Sequence, residues 1–343
     1  MKATSLEGTG KKSTFLPSWF GYGLVVAGIH ILGLTLLLWQ GREYPELLGM
    51  GFLAYTLGLR HAFDADHIAA IDNIVRKLVQ QKKDATGIGF YFSLGHSTVV
   101  FLMTLVTILA MRWSQQNLPQ LQEIGGLIGT TVSGGFLLII GFVNLYIWLD
   151  IYRLFLQAGQ KKYDDRQLEQ LLDARGFIAR FAGSFYRFIN KSWHIYPLGF
   201  LFGLGFDTAS EVALIAISAG VASQTIPIAG ILSFPILFAA GMSLMDTADG
   251  IFMITAYRWA FATPLRKIYY NLTVTGLSVI AALFIGGIEI AQVITPKLGL
   301  QGWFWTSVQG LEFSGMGYLL VALFVFVWAF SYGAWKLFNL EKR

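Results

Sequence analysis

The 343-residue sequence contains no cysteine. Disulfides and thiolate metal sites are therefore excluded, together with soft Cys ligation of Cu(I) or Zn(II), and the redox compartment leaves no trace. Charge is also scarce, since Asp, Glu, Lys and Arg make up 13% of the chain against about 25% in a soluble domain. There is no His-Glu-x-x-His box and no Gly-x4-Gly-Lys-Ser/Thr phosphate loop, so neither a zinc-protease helix nor direct ATP hydrolysis is indicated. Apolar residues fill the space instead. They account for 55% of the chain, with 28 Phe and 10 Trp, and the mean hydropathy is +0.58. That composition is one of an integral membrane protein.

Eight apolar segments have the length of about 20 residues that a ~30 Å hydrocarbon core demands. They run approximately over 19–40, 46–72, 87–111, 124–149, 196–222, 227–257, 271–294 and 316–338. The polar stretch Met1 to Ser18 leads into a full-length apolar segment, so the first span reads as retained and not as a cleaved signal peptide. The net charge of +5 is topological: alternate connections hold 21 Lys/Arg, whereas the opposite set holds only Arg42, Arg112 and Lys297, with Arg60 alone inside a span. By the positive-inside rule both termini face the cytoplasm and the helix count is even.

The expected fold is an all-α polytopic membrane protein with eight transmembrane helices. A cytoplasmic tail (1–18) precedes helices 1–4 (19–149). A cytoplasmic loop (150–195) then leads to helices 5–8 (196–338) and a short cytoplasmic tail (339–343). Within the loop, Lys161 to Arg180 alternates charges with Leu and Ile at helical spacing, as an interfacial helix or a solvated linker would. Tryptophans at segment ends, among them Trp19, Trp39, Trp148, Trp193 and Trp303, suit interfacial anchoring. Phe63-Asp64 resembles Phe206-Asp207, and Gly95-His96-Ser97 resembles Gly241-Met242-Ser243. An offset of three helices inverts the second unit, the pattern of an inverted repeat with its substrate site at the repeat interface.

Four spans carry nearly all of the intramembrane polarity. The second has Arg60, His61, Asp64, Asp66 and His67, with Asp72 at its cytoplasmic end, and the third has His96. The fifth has Asp207, Thr208, Ser210 and Glu211, and the sixth has Asp246, Thr247 and Asp249. Counted inward from the cytoplasmic ends, His61, His96, Asp207 and Asp246 lie about 9–11 residues deep, or roughly 13–17 Å at 1.5 Å per residue. Four helices thus bring polar groups to one level. At 100° per residue His61, Asp64 and His67 share an arc of about 120°, while Asp66 falls on the opposite side. Asp66 therefore serves another partner, or the helix is distorted, with Gly49, Gly51 and Gly58 available to ease a break.

Ionisable groups at mid-membrane cost roughly 2.5–3.5 kcal/mol each on insertion scales. The spans hold seven carboxylates (Asp64, Asp66, Asp207, Glu211, Asp246, Asp249 and Glu289) against one arginine, a balance that a bound cation would offset. Imidazole ligands select a late first-row metal over Mg or Ca. His30, Asn144 and Glu289, being isolated, read more simply as interhelical hydrogen-bonding groups. The runs Gly125-Gly126 and Gly134-Gly135 read as packing notches.

These residues resemble the nickel/cobalt transporter (NiCoT) family of membrane permeases. Its His-x4-Asp-His signature is written here by His61, Asp66 and His67. Further signatures match at Leu94 to Val100, at Leu204 to Glu211 and at Gly241 to Gly250, with Ser210 standing where the family pattern usually has Thr. The resemblance implies uptake of Ni(II), Co(II) or both across the cytoplasmic (inner) membrane by one multi-pass polypeptide. The ion is then substrate, and no prosthetic cofactor is expected. His61, His67 and His96 would be the nitrogen ligands, and Asp64 and Asp66 oxygen ligands or the groups that orient the imidazoles. Asp207, Glu211, Asp246 and Asp249 would complete the cavity or its exit. An intramembrane metalloenzyme using the same cluster is the alternative, and the oligomeric state is left open.

Overall fold

A computed structural model describes residues 19–109, 111–158, 189–204, 227–260 and 264–311, together with the helical positions 318, 320–326 and 329. All regular structure among these residues is helical. The helices are α1 (Phe20–Gln40), α2 (Glu46–His61), α3 (Ala65–Gln80), α4 (Ile88–Leu109), α5 (Met111–Ala158), α6 (Tyr196–Gly203), α7 (Ile228–Ala260), α8 (Pro264–Leu298) and α9 (Trp303–Gln309). Five stretches are long and apolar enough to cross a membrane: Phe20–Gln40, Ile88–Val106, Ile124–Tyr146, Ile228–Trp259 and Thr275–Leu298. They coincide with the expected first, third, fourth, sixth and seventh spans. Only the start of the fifth span and part of the eighth are described, so Asp207, Thr208, Ser210 and Glu211 lie outside the described residues, as does the Lys161 to Arg180 segment.

The second span departs from the expected continuous helix. Two 16-residue helices, α2 and α3, replace it, and the break falls at Ala62–Asp64, away from Gly49, Gly51 and Gly58. Its cause is local hydrogen bonding. The amides of Phe63 and Asp64 turn back to the carbonyls of Arg60 and His61 at 2.9 Å, closing α2 in tight turns. Asp64 then becomes extended (φ −66°, ψ 141°), and its carbonyl accepts the Ile68 amide at 3.2 Å, which starts α3. Such a break places the negative end of the α2 dipole at His61, where it favours a cation. The positive end of the α3 dipole lies at Asp64 and Asp66, where it favours anions.

A second difference concerns 73–86, expected as a cytoplasmic connection. Helix α3 runs on to Gln80, and Asn73 to Leu78 are buried. Lys77 donates to the Ile189 carbonyl at 2.7 Å, so the chain around 189–192 covers the helix end. Helix α5 likewise starts at Met111, and its 48 residues at 1.5 Å each exceed twice the length a bilayer core needs.

Close helix contacts at glycine fix the bundle. A Cβ on Gly58 would stand 2.1 Å from the Phe238 carbonyl oxygen, and one on Gly241 would stand 2.6 Å from that of Tyr55. The same register recurs between α4 and α6. A Cβ on Gly199 would meet the Phe92 oxygen at 2.1 Å, and one on Gly95 would meet that of Tyr196 at 2.2 Å. Tyr55-Thr56-Leu57-Gly58 thus corresponds to Tyr196-Pro197-Leu198-Gly199, and Phe92-x-x-Gly95 to Phe238-x-x-Gly241. In lipid the apolar surround gives little drive for association, so backbone approach of this kind and interhelical hydrogen bonds carry the packing. Gly134 behaves as a notch against Gly286, but Gly135 has nothing within 4 Å. Trp19, Trp39, Trp193 and Trp303 are exposed as anchors would be, whereas Trp148 donates to the Leu272 carbonyl at 2.7 Å and joins α5 to α8.

Two apolar clusters flank the crossing. One surrounds α3 with Ile68, Ile71, Phe92, Ile140, Ile254 and Ile285; the other joins Leu37, Leu47, Val100, Phe234, Phe238 and Met242. The histidines lie between them.

Candidate metal centre

Three elements deliver the histidines. His61 is the last residue of α2, His67 sits in the first turn of α3, and His96 lies within α4. Their ring centroids are 4.5 Å (His61–His67), 4.6 Å (His61–His96) and 4.9 Å (His67–His96) apart. One nitrogen from each falls within 4.8 Å of the others, and His61 Nε2 is 3.0 Å from His96 Nε2. Two nitrogens bound at about 2.1 Å on perpendicular bonds would stand ~3.0 Å apart, so this pair already has the spacing of adjacent metal ligands.

Carboxylates stand behind the imidazoles. His61 Nδ1 is 2.6 Å from Asp64 Oδ2, which places the ring proton on Nδ1 and leaves the Nε2 lone pair for a metal. His67 Nδ1 is 3.6 Å from Asp246 Oδ2, too long for a hydrogen bond. Among the described residues, neither nitrogen of His67, nor His96 Nδ1, nor either oxygen of Asp246 has a hydrogen-bond partner. Buried polar atoms left this way are costly, and a cation would satisfy several together. The setting has a more open and a closed side. The side chains of His61 and Asp64 are 15% and 20% exposed, whereas those of His67 and Asp246 are 1% exposed. Phe92 and Phe202 wall His67, the former edge-on at 4.8 Å and the latter at 6.5 Å, and Phe238 lies 6.0 Å from His61. Nothing in the sequence singles out these rings, because apolar residues are too common in the spans to stand out.

Asp66 does not join the trio. Its Oδ1 accepts the His67 amide at 2.9 Å, and its Oδ2 lies 3.4 Å from the Ser133 hydroxyl of α5. Of the two readings left open, that Asp66 serves another partner or that a distorted helix brings it into the site, the first holds: the helix is broken, yet the break does not bring Asp66 to the imidazoles. Asp249, one turn beyond Asp246 on α7, interacts electrostatically with Asp246 and with Asp72.

Asp72 anchors a buried network further along α3. It accepts the hydroxyls of Tyr257 and Ser278, the latter at 2.6 Å. Beside it the Asn73 side-chain oxygen accepts from Arg76 at 2.7 Å and from Asn144 at 2.6 Å. Asn144 is thus an interhelical hydrogen-bonding group, as expected. His30 is another, bonded to the Val26 carbonyl at 2.8 Å and close to the Tyr55 hydroxyl at 3.4 Å.

Residues 47–333 match the NicO family, described as "High-affinity nickel-transport protein". The chain belongs to the NicO family. The resemblance drawn from the four motifs is thereby borne out. The chain is 53% identical over 326 residues to the nickel transporter NixA of Staphylococcus aureus, covering 95% of this chain and 96% of that one. It is 52% identical over 325 residues to the high-affinity nickel-transport protein NixA of Helicobacter pylori strain J99, covering 93% of this chain and 97% of that one. The cobalt transport protein NhlF of Rhodococcus rhodochrous is 40% identical over 308 residues, 88% of this chain and 87% of that one. No solved structure matches the chain. NicO relatives are transporters and not enzymes, so the metalloenzyme alternative has no support among them.

Proposed function

We propose that this NicO member carries Ni(II), and Co(II) as a second substrate, across the cytoplasmic membrane through the His61–His67–His96 cluster. The observation that carries this reading is the approach of His61 Nε2 to His96 Nε2 at 3.0 Å, with His67 beside them in a buried pocket. Asp64 and Asp246 orient or complete the ligand set. The partly exposed Asp64 side admits the ion, and Asp246, Asp249 and Asp72 form a descending row of carboxylates along α7 and α3 for its release. Asp207 and Glu211 belong to the same pathway by the family signature that they occupy, and Asp66 contributes to it from the α5 side. The fold we propose is the eight-span arrangement with cytoplasmic termini and an inverted repeat, and the matched glycine contacts of the two helix pairs support the repeat. Inward movement is favoured by the membrane potential, by about 2.3 kcal/mol per charge per 100 mV, hence roughly 4–5 kcal/mol for a dication.

The experiment is uptake of radioactive nickel by cells expressing His61→Ala, His67→Ala or His96→Ala at equal protein abundance. Each variant is expected to lose high-affinity uptake. Wild-type transport by all three would refute the assignment.

A further inference from the structure

The first turn of α3 sends its two polar side chains to different neighbours, His67 to the histidine cluster and Asp66 towards Ser133 of α5. Beside Ser133 stands Glu289 of α8, a residue that no motif includes. It is only 5% exposed, and its Oε2 has no hydrogen-bond partner among the described residues. Glu289 interacts electrostatically with Asp66 and with the Ser133 hydroxyl, which reaches Asp66 Oδ2 at 3.4 Å. No salt bridge reaches either carboxyl group among the described residues, where the ion pairs are His61–Asp64 and His67–Asp246.

We propose that Asp66, Ser133 and Glu289 form a second dication-binding position, built of oxygen ligands and separate from the histidine cluster. Charge points to a dication, because the buried Glu289 and half-buried Asp66 carboxylates together match one doubly charged ion, and Glu289 could not be left bare in a low-dielectric bundle. Geometry agrees. Oxygens bound at about 2.1–2.4 Å on perpendicular bonds stand ~3.0–3.4 Å apart, and Ser133 Oγ to Asp66 Oδ2 is 3.4 Å. The position is also rigidly framed. A Cβ on Gly134 would lie 3.0 Å from the Glu289 Cβ, and one on Gly286 would lie 2.9 Å from the Gly134 carbonyl oxygen. Helices α5 and α8 are thus locked together beside both Ser133 and Glu289. An oxygen-only set favours harder ions such as Mn(II) or Mg(II), whereas the imidazoles favour nickel. The two positions should therefore be separable by ion as well as by mutation.

The test uses the full chain in phosphatidylcholine nanodiscs, with Mn(II) binding followed by electron paramagnetic resonance in the presence of one equivalent of Ni(II), which fills the tighter histidine site first. The wild type is expected to retain a Mn(II) site while nickel occupies the histidines. Glu289→Gln should weaken Mn(II) at least tenfold and leave nickel affinity within twofold, and Ser133→Ala should weaken Mn(II) more mildly. His96→Ala should weaken nickel and spare Mn(II), measured without nickel. Unchanged Mn(II) binding in both Glu289→Gln and Ser133→Ala would overturn the proposal and make Glu289 a protonated structural group. Equal loss of both ions in folded Ser133→Ala would also overturn it, since one shared site would then serve both. Retention of nickel by His96→Ala, with Mn(II) lost in Glu289→Gln, would overturn only the histidine reading.

Discussion

Removing the carboxylate behind His61 separates a metal ligand from a group that positions one. Asp64 Oδ2 is 2.6 Å from His61 Nδ1, while Asp64 Oδ1 is buried without a partner. If Asp64 acts through the imidazole, Asp64→Ala leaves three nitrogens but frees His61 to rotate and to take the wrong tautomer. Loss of such an orienting partner typically costs 10–100-fold in metal affinity, about 1.4–2.8 kcal/mol. Asp64→Asn should fall at the mild end, because its amide oxygen still accepts the Nδ1 proton. The assay is nickel binding to purified protein by isothermal titration calorimetry. Electron spin echo modulation from imidazole nitrogen, read on Cu(II) as a paramagnetic stand-in, would count the histidines. The expected result is weaker nickel binding with an unchanged nitrogen count and the order wild type, Asp64→Asn, Asp64→Ala, His61→Ala. A loss in Asp64→Ala as large as in His61→Ala would show Asp64 to be a direct ligand and refute the reasoning. Wild-type affinity would refute it from the other side.

Four further outcomes follow from the packing. Gly58→Ala forces a Cβ to 2.1 Å from the Phe238 oxygen, a backbone atom that cannot swing aside; it should destabilise the protein by about 1–3 kcal/mol or more and abolish uptake by displacing His61. Gly49→Ala, with nothing within 4 Å, should be neutral or stabilising by up to ~1 kcal/mol, and thermal unfolding in detergent compares the two. Tyr257→Phe removes one of the two hydroxyls on Asp72 and should cost about 1–3 kcal/mol in the same assay. His30→Ala breaks a peripheral α1–α2 contact worth about 0.6 kcal/mol, so nickel uptake should change less than twofold, in contrast to His61→Ala.

Much of the site was legible because depth is countable. His61 and His96 were placed at one level by residue counting, and the structure brings their Nε2 atoms to 3.0 Å. The placement of Asp66 away from the face shared by His61, Asp64 and His67 followed from helical angles and survived the break between α2 and α3. The break itself was misplaced. The sequence offers glycines as hinges, whereas the chain turns at Ala62–Asp64, where Asp64 begins a new helix with its side chain committed to His61. The pairing of Asp66 with Glu289 lies 223 positions apart in the chain and needs the α5–α8 contact to exist. The Tyr-x-Leu-Gly repeat at 55–58 and 196–199 was present in the sequence, but its meaning depends on which backbone each glycine touches.

The sequence by itself determined that this is a membrane protein whose few intramembrane histidines and carboxylates gather at matching positions in their spans. Hydrocarbon penalises every exposed charge, so the few intramembrane ionisable groups declare themselves by position alone. Only the tertiary structure decided which carboxylate stands behind which imidazole and where Asp66 points. Those choices depend on the rotation of each helix about its axis. That rotation is set by backbone contact at Gly58, Gly95, Gly199 and Gly241, and no one-dimensional pattern specifies it.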